Sequence, residues 1–213
     1  MTTTRVHLLR HAEVDNPRGV LYGRLPGYRL SDLGHAMARR VAETLAGRDI
    51  TYLVTSPLER AQETARPIAE KLGLDVVTDD RVIEANNVFE GLTIGVGEGS
   101  LRSPRHWWHL RNPYRPSWGE PYAEVAARMR AALGAAAAAA RGHEALIVSH
   151  QLPIWVLRLS LEGRRLWHHP GRRECALASL TTVTCEDGEI VAIGYHEPAA
   201  DLVAGATDYG GGA

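Results

Sequence analysis

The chain predicts an α/β fold, a three-layer sandwich around a mainly parallel central sheet. Two observations carry this expectation. Short apolar runs alternate with amphipathic stretches of helical period along most of the 213 residues. Three of those runs end in polar residues, as strands sharing one direction would if they opened on a common crevice. No linker and no internal repeat divides the sequence, so residues 1–213 read as a single domain.

Val6 to Leu9 is a short, mostly apolar run suited to a buried strand, and Arg10-His11 falls where that strand leaves the sheet. Asp15 to Gly27, rich in Gly and Pro, is a loop. Ser31 then reads as an N-cap, with Leu33, Met37, Val41 and Leu45 on one face of a helix ending near Gly47. Thr51 to Thr55 is a second strand. Ser56-Pro57-Leu58-Glu59 predicts a helix start, with Ser56 capping, Pro57 at the first helical position and Glu59 completing a capping box. Leu58, Ala61, Ala65, Ile68 and Leu72 make its buried stripe, and Gly73 ends it.

Val76 to Thr78 is a third strand, with Asp79 to Glu84 behind it. From about residue 92 to 119 periodicity is poor, a short helix is expected around Arg105 to Arg111, and the stretch gathers Gly, Pro and Trp with Arg102, Arg105, His106, His109, Arg111 and Arg115. So long an irregular stretch suggests a functional insertion, expected to cap the site, or a solvated basic loop. Glu120 to Arg141 is an Ala-rich helix, Ala145 to Ser149 a buried strand ending at His150, and Leu152 to Leu161 a further helix. Two last strands, Ala176 to Cys185 and Ile190 to Tyr195, flank the hairpin turn Glu186-Asp187-Gly188. The Ala/Gly-rich tail, about 197–213, is expected to be loose.

Composition narrows the function. With 45% hydrophobic and 23% charged residues, the chain has the make-up of a soluble globular protein. A net charge of -1 gives no global attraction to nucleic acid or to an anionic membrane, so anion binding has to come from a local cluster. Cys175 and Cys185 fit neither a disulfide framework nor a zinc site, and the N-terminus carries no secretory pattern. A cytoplasmic protein is expected. His106-x-x-His109 and His168-His169 lack a third ligand at a suggestive spacing, so no metal and no cofactor is expected. Trp107, Trp108 and Trp118 either wall a substrate pocket or pack the insertion onto the domain.

If the strands ending at Arg10-His11, at Ser56 to Arg60 and at Ser149-His150 are parallel neighbours, two Arg and two His converge. Guanidinium forks match phosphate oxygens, so such a cluster suits a dianionic phosphoryl group. The bland alternative is a set of unrelated surface residues, and their shared place at strand ends weighs against it.

The ordered segments Leu9-Arg10-His11-Ala12-Glu13, Ser56 to Ala65, Glu84 ahead of Phe89-Glu90-Gly91, and Val148-Ser149-His150 resemble those of the histidine phosphatase superfamily, the phosphoglycerate-mutase-like fold. Gly119-Glu120 at the start of the long helix is similar to the Gly-Glu-Ser turn of that family, with Pro121 in place of Ser. The resemblance implies that His11 is the nucleophile that becomes phosphorylated, that Arg10, Arg60 and His150 clamp the phosphoryl oxygens, and that Glu84 is the general acid. By the same resemblance Asn16 and Gln151 bind phosphate. Arg24 reaches phosphate or a substrate carboxylate, or simply faces solvent. His11 has to attack as a neutral imidazole, a protonated His150 would add charge neutralisation without metal, and Glu84 needs a raised pKa to hold its proton.

The implied activity is hydrolysis of a small phosphate monoester. The alternatives are a phosphoglycerate-mutase-type transfer and a non-catalytic phospho-ligand module. The larger mutases of the family carry longer insertions than this chain holds, and no proposed catalytic residue is missing. A homodimer is compatible with the sequence. Four departures from the family pattern stand out: Ala12 where Gly is usual, Asn16 one position early, Gln151 where Gly often follows, and one residue fewer between Glu84 and Gly91. Glu13 and Glu90 compete with Glu84 for the acid role.

Overall fold

The computed structural model describes residues 1–93 and 118–208. Strands β1 (Thr3–Arg10), β2 (Ile50–Thr55), β3 (Val76–Thr78), β4 (Glu144–Ser149), β5 (Leu180–Glu186) and β6 (Glu189–His196) form a six-stranded sheet in the order β3-β2-β4-β1-β5-β6. The β3-β2-β4-β1 part is parallel, whereas β5 runs antiparallel to β1 and β6 antiparallel to β5. The sheet is therefore mixed, with its parallel part on the side of the predicted site.

Helices α1 (Asp32–Leu45) and α2 (Glu59–Leu72) cover one face, and α3 (Tyr122–Ala139) and α4 (Gln151–Leu161) the other. The period-two alternation of the central strands makes this double covering possible. Val6, Leu8, Ala145 and Ile147 point into the α3/α4 core, while Leu9, Leu146 and Val148 point into the α1/α2 core. Every residue of β4 is buried, as expected of a central parallel strand. Ser31 caps α1 by accepting from the Gly34 N–H, and Gly73 ends α2 in the left-handed region at φ 67°. A Cβ on Gly34 would stand 2.1 Å from the Glu13 carbonyl oxygen, so glycine is what lets α1 close onto the loop behind His11.

Three segments differ from the sequence expectation. Helix α2 begins at Glu59 with Leu58 as an uncapped N-cap residue, because Ser56 lies three residues upstream, where its Oγ accepts from the Leu58 N–H at 3.4 Å and lies 2.7 Å from His150 Nε2. Strand β5 begins at Leu180 and not at Ala176: Ala178 has φ 55°, and Ser179 donates both its N–H and its hydroxyl to Ala176 O in a tight turn. The tail is not loose over residues 197–208. Ala199 is buried, Leu202 and Val203 pack on the α1/α2 core, and short helix α5 (Ala200–Val203) is tied to α1 by Arg40 donating to both Asp201 carboxylate oxygens at 2.9 Å.

The hairpin turn is as predicted, with Asp187 and Gly188 both at positive φ. Most of the insertion lies outside the described residues, including its four arginines, its two histidines, Trp107 and Trp108. Its two ends are bridged to neighbours, Thr93 to Val20 and Gly119 to Asn87. Among the described residues no helix is long and apolar enough to cross a membrane.

Candidate active site

Register aligns the three strand exits. Arg10 pairs with Ser149 across β1 and β4, and Thr55 pairs with Val148 across β2 and β4. The ladder runs one residue further on each side: His11 N–H donates to Ser149 O and Ser56 N–H to Val148 O, both at 3.0 Å. His11, His150 and Ser56 therefore leave the sheet side by side.

His11 is 2% exposed, and its Nδ1 lies 2.8 Å from the Ala12 carbonyl. A carbonyl only accepts, so Nδ1 carries the hydrogen and Nε2 keeps its lone pair. Burial, reinforced by the Arg60 and Arg10 charges, holds the imidazole well below its ordinary pKa. The ring is thus neutral and nucleophilic at neutral pH. Ala12 in place of Gly disturbs nothing here: its φ is not positive, and its N–H donates to Thr64 Oγ1 at 3.1 Å.

Arg60, from the first turn of α2, donates to Gly23 O at 2.7 Å and lies 4.7 Å over the Tyr22 ring. Arg10 donates from Nη1 to Cys175 O at 2.8 Å, and its fork grips Asp208. His150 Nε2 lies 2.7 Å from Ser56 Oγ. Three nitrogens of this cluster, Arg10 Nε, Arg60 Nε and His150 Nδ1, are buried without a hydrogen-bond partner. A buried polar group left unmade is costly, so a native fold that keeps three in one cluster points to an absent acceptor.

Glu84 is 3% exposed, and burial raises its pKa against the lowering effects of the Ala85 N–H and the Arg60 charge. The loop that carries it is framed by Arg128, which donates to Ile83 O at 2.7 Å, and by Arg24, whose Nε donates to Glu84 O at 2.7 Å. Glu120 joins the two arginines, accepting from Arg24 at 3.1 Å and from Arg128 at 2.8 and 3.0 Å. Its competitors are engaged elsewhere. Glu13 accepts from Ser31 Oγ and Thr207 N, and Glu90 from Arg24 N.

Arg24, Asn16 and His150 differ from expectation, and Gln151 keeps its backbone N–H at the start of α4. Arg24 is partly exposed, and it turns Nε to the Glu84 carbonyl and Nη2 to the Glu120 carboxylate, so its side chain holds the loop of Glu84. Asn16 directs both ends of its amide to Val20, donating to its carbonyl at 2.9 Å and accepting from its N–H at 3.1 Å, so it closes the loop. Gln151 accepts from Arg173 at 3.2 Å with its side chain and opens α4 with its backbone. His150 departs from the expected protonated form: burial, then the Arg60 and His11 charges, puts its pKa well below the ordinary histidine value.

Sequence reasoning missed three contacts. Ser56 is the partner of His150, and the Ser-Pro-Leu-Glu helix signature masked that role. Arg173, from the turn before β5, donates to His168 Nε2 at 2.9 Å and brings a third guanidinium whose charge acts on Glu84. Nothing in its sequence neighbourhood signals that placement. Asp208 reaches Arg10 from a tail whose composition suggests only looseness.

The sequence profile of the histidine phosphatase superfamily (branch 1) matches residues 6–197. The uncharacterized protein Rv0525 of Mycobacterium tuberculosis is 55% identical over 197 residues, covering 92% of this chain and 98% of its own. The probable phosphoglycerate mutase GpmB of Yersinia enterocolitica is 34% identical, with 90% and 89% coverage. Among solved structures, the mycobacterial glucosyl-3-phosphoglycerate phosphatase Rv2419c superposes with a TM-score of 0.74 at 27% identity, covering 92% of this chain and 98% of that one.

Proposed function

Because this chain belongs to the histidine phosphatase superfamily (branch 1), we propose that it is a phosphatase, removing the phosphoryl group of a small phosphate monoester through a phosphohistidine on His11. The observation that carries the reading is the trio of buried nitrogens without partners, Arg10 Nε, Arg60 Nε and His150 Nδ1, around an imidazole whose Nε2 lone pair is free. Phosphoryl transfer asks the protein mainly for positioning and charge stabilisation, and these groups supply both.

In the first step His11 Nε2 bonds to phosphorus while the bond from phosphorus to the leaving oxygen breaks, and Glu84 gives that oxygen its proton. In the second step a water attacks the phosphohistidine, its proton returns to Glu84, and inorganic phosphate departs with the imidazole restored. Arg10, Arg60 and His150 hold the transferring oxygens in both steps. Burial of Glu84 supports the acid role, since a carboxyl raised above its ordinary range keeps its proton closer to neutral pH.

The substrate is a soluble small molecule in this reading, the setting cytoplasmic, and neither nucleic acid nor membrane takes part. The probable mutase among the relatives keeps a phosphotransfer alternative in view. A panel of phosphate monoesters, with 3-phosphoglycerate plus a bisphosphate primer alongside, tests the proposal. Release of inorganic phosphate from at least one monoester supports it. Primer-dependent transfer with no net release would replace it with a mutase.

A further inference from the structure

Arg10 has five N–H donors, and the described residues show where three of them go. Nη1 donates to Asp208 Oδ2 at 2.7 Å and to Cys175 O at 2.8 Å, and Nη2 donates to Asp208 Oδ1 at 2.8 Å. Asp208 thus takes the end fork of the guanidinium, the edge formed by the two terminal nitrogens. The side edge remains, made of Nε–H and the second hydrogen of Nη2, and Nε is buried without a partner. A planar guanidinium offers each edge as a two-pronged donor, so an acceptor with two oxygens fits the vacant edge while Asp208 stays on the other.

The carboxylate is delivered by an anchored strap. Its chain crosses α1 with Ala199 buried and Asp201 paired to Arg40, and Thr207 N–H then donates to Glu13 Oε1 at 2.7 Å. Glu13 lies three residues from Arg10, so the strap is tied to the same loop it serves. Arg10 is 4% exposed and Asp208 34%, which places the carboxylate on the outer side of the guanidinium. Burial works against the Arg10 charge, and Asp208 more than offsets it, holding the guanidinium above its ordinary pKa.

We propose that Asp208 is a positioning residue of the phosphate site: gripping the end fork of Arg10 from outside, it aims the side edge of that guanidinium at the phosphoryl group. This rests on the reading of Arg10 as a phosphate clamp. The rival role, a carboxylate plug that phosphate must displace, fits the geometry less well, because the carboxylate occupies one edge and leaves the other vacant.

The test is Asp208→Asn in the full chain, measured alone and combined with Arg10→Lys, with Asp208→Glu as the conservative variant. kcat and KM for p-nitrophenyl phosphate, inhibition by inorganic phosphate and the melting temperature are read for each. Asp208→Asn is expected to lower kcat/KM and weaken phosphate inhibition by about tenfold, the scale of one charge-assisted hydrogen-bonded pair. Asp208→Glu recovers part of that loss. In the Arg10→Lys background, where no planar fork remains to be aimed, Asp208→Asn adds little. Tighter phosphate inhibition or a higher kcat/KM in Asp208→Asn would establish the plug and overturn the proposal. An unchanged enzyme, or an equal loss in the Arg10→Lys background, would overturn it too. If the wild type hydrolyses no monoester, the phosphatase reading itself fails, a result distinct from all of these.

Discussion

The imidazoles of His11 and His150 stand 5.2 Å apart between ring centroids, tilted by 58°, each held neutral by burial and by flanking guanidiniums. Two uncharged histidines between Arg10 and Arg60 make a site whose net positive charge comes from arginine alone.

Acid should therefore destabilise the protein. Both histidines have folded pKa values below their ordinary value of 6.5. Above that pH neither the folded nor the unfolded state is protonated there, and no penalty arises. Below it the unfolded chain takes up protons that the folded site refuses, so stability falls by up to about 1.4 kcal/mol per pH unit for each histidine. Glu84, raised by burial, works the other way at lower pH, because the folded state takes up its proton first. Melting temperatures from pH 8 to pH 5 should decline below about pH 6.5, less steeply in His150→Asn. A flat profile would show that the pair is not held neutral.

Glu84→Gln removes the proposed proton donor and keeps the shape. Turnover of an alkyl phosphate should drop by about 10²- to 10⁴-fold, and that of p-nitrophenyl phosphate, whose leaving group needs little protonation, by far less. Equal losses on both substrates would mean that Glu84 holds structure and transfers no proton.

The sequence was most readable where period and chain order coincide with chemistry. Alternation in β1 and β4 exposed the double-faced sheet, and the polar residues just beyond β1, β2 and β4 located the cluster, because parallel neighbours necessarily open on the same edge. Ser56 was misread because a Ser-Pro-Leu-Glu run satisfies local capping rules, whereas the nearby His150 competes for the hydroxyl across the sheet. The family resemblance points Asn16 at phosphate and residue type points Arg24 there, but their partners, Val20 and the loop of Glu84, are set by loop closure that no local pattern records. Asp208 was illegible for the same reason: its significance depends on a contact with Arg10, 198 positions away.

Ser56→Ala leaves His150 Nε2 without its partner. Loss of one such bond, worth about 1 kcal/mol, should cost roughly three- to tenfold in kcat/KM and weaken inhibition by inorganic phosphate to match. Unchanged inhibition would separate Ser56 from phosphate binding.

Arg24→Ala distinguishes a phosphate ligand from a support for the acid. The contacts to Glu84 O and Glu120 predict the signature of Glu84→Gln, a loss that grows with leaving-group basicity, together with nearly normal phosphate inhibition. Weaker phosphate inhibition with no leaving-group dependence would return Arg24 to the phosphate site.

The proposed reaction rests on a covalent bond between phosphorus and His11. Acid-free mass spectrometry of the wild type, trapped during turnover of a phosphate monoester, is predicted to show one added phosphoryl group on His11, absent in His11→Ala along with all turnover. Turnover retained by His11→Ala, or a phosphoryl group found on another residue, would contradict it.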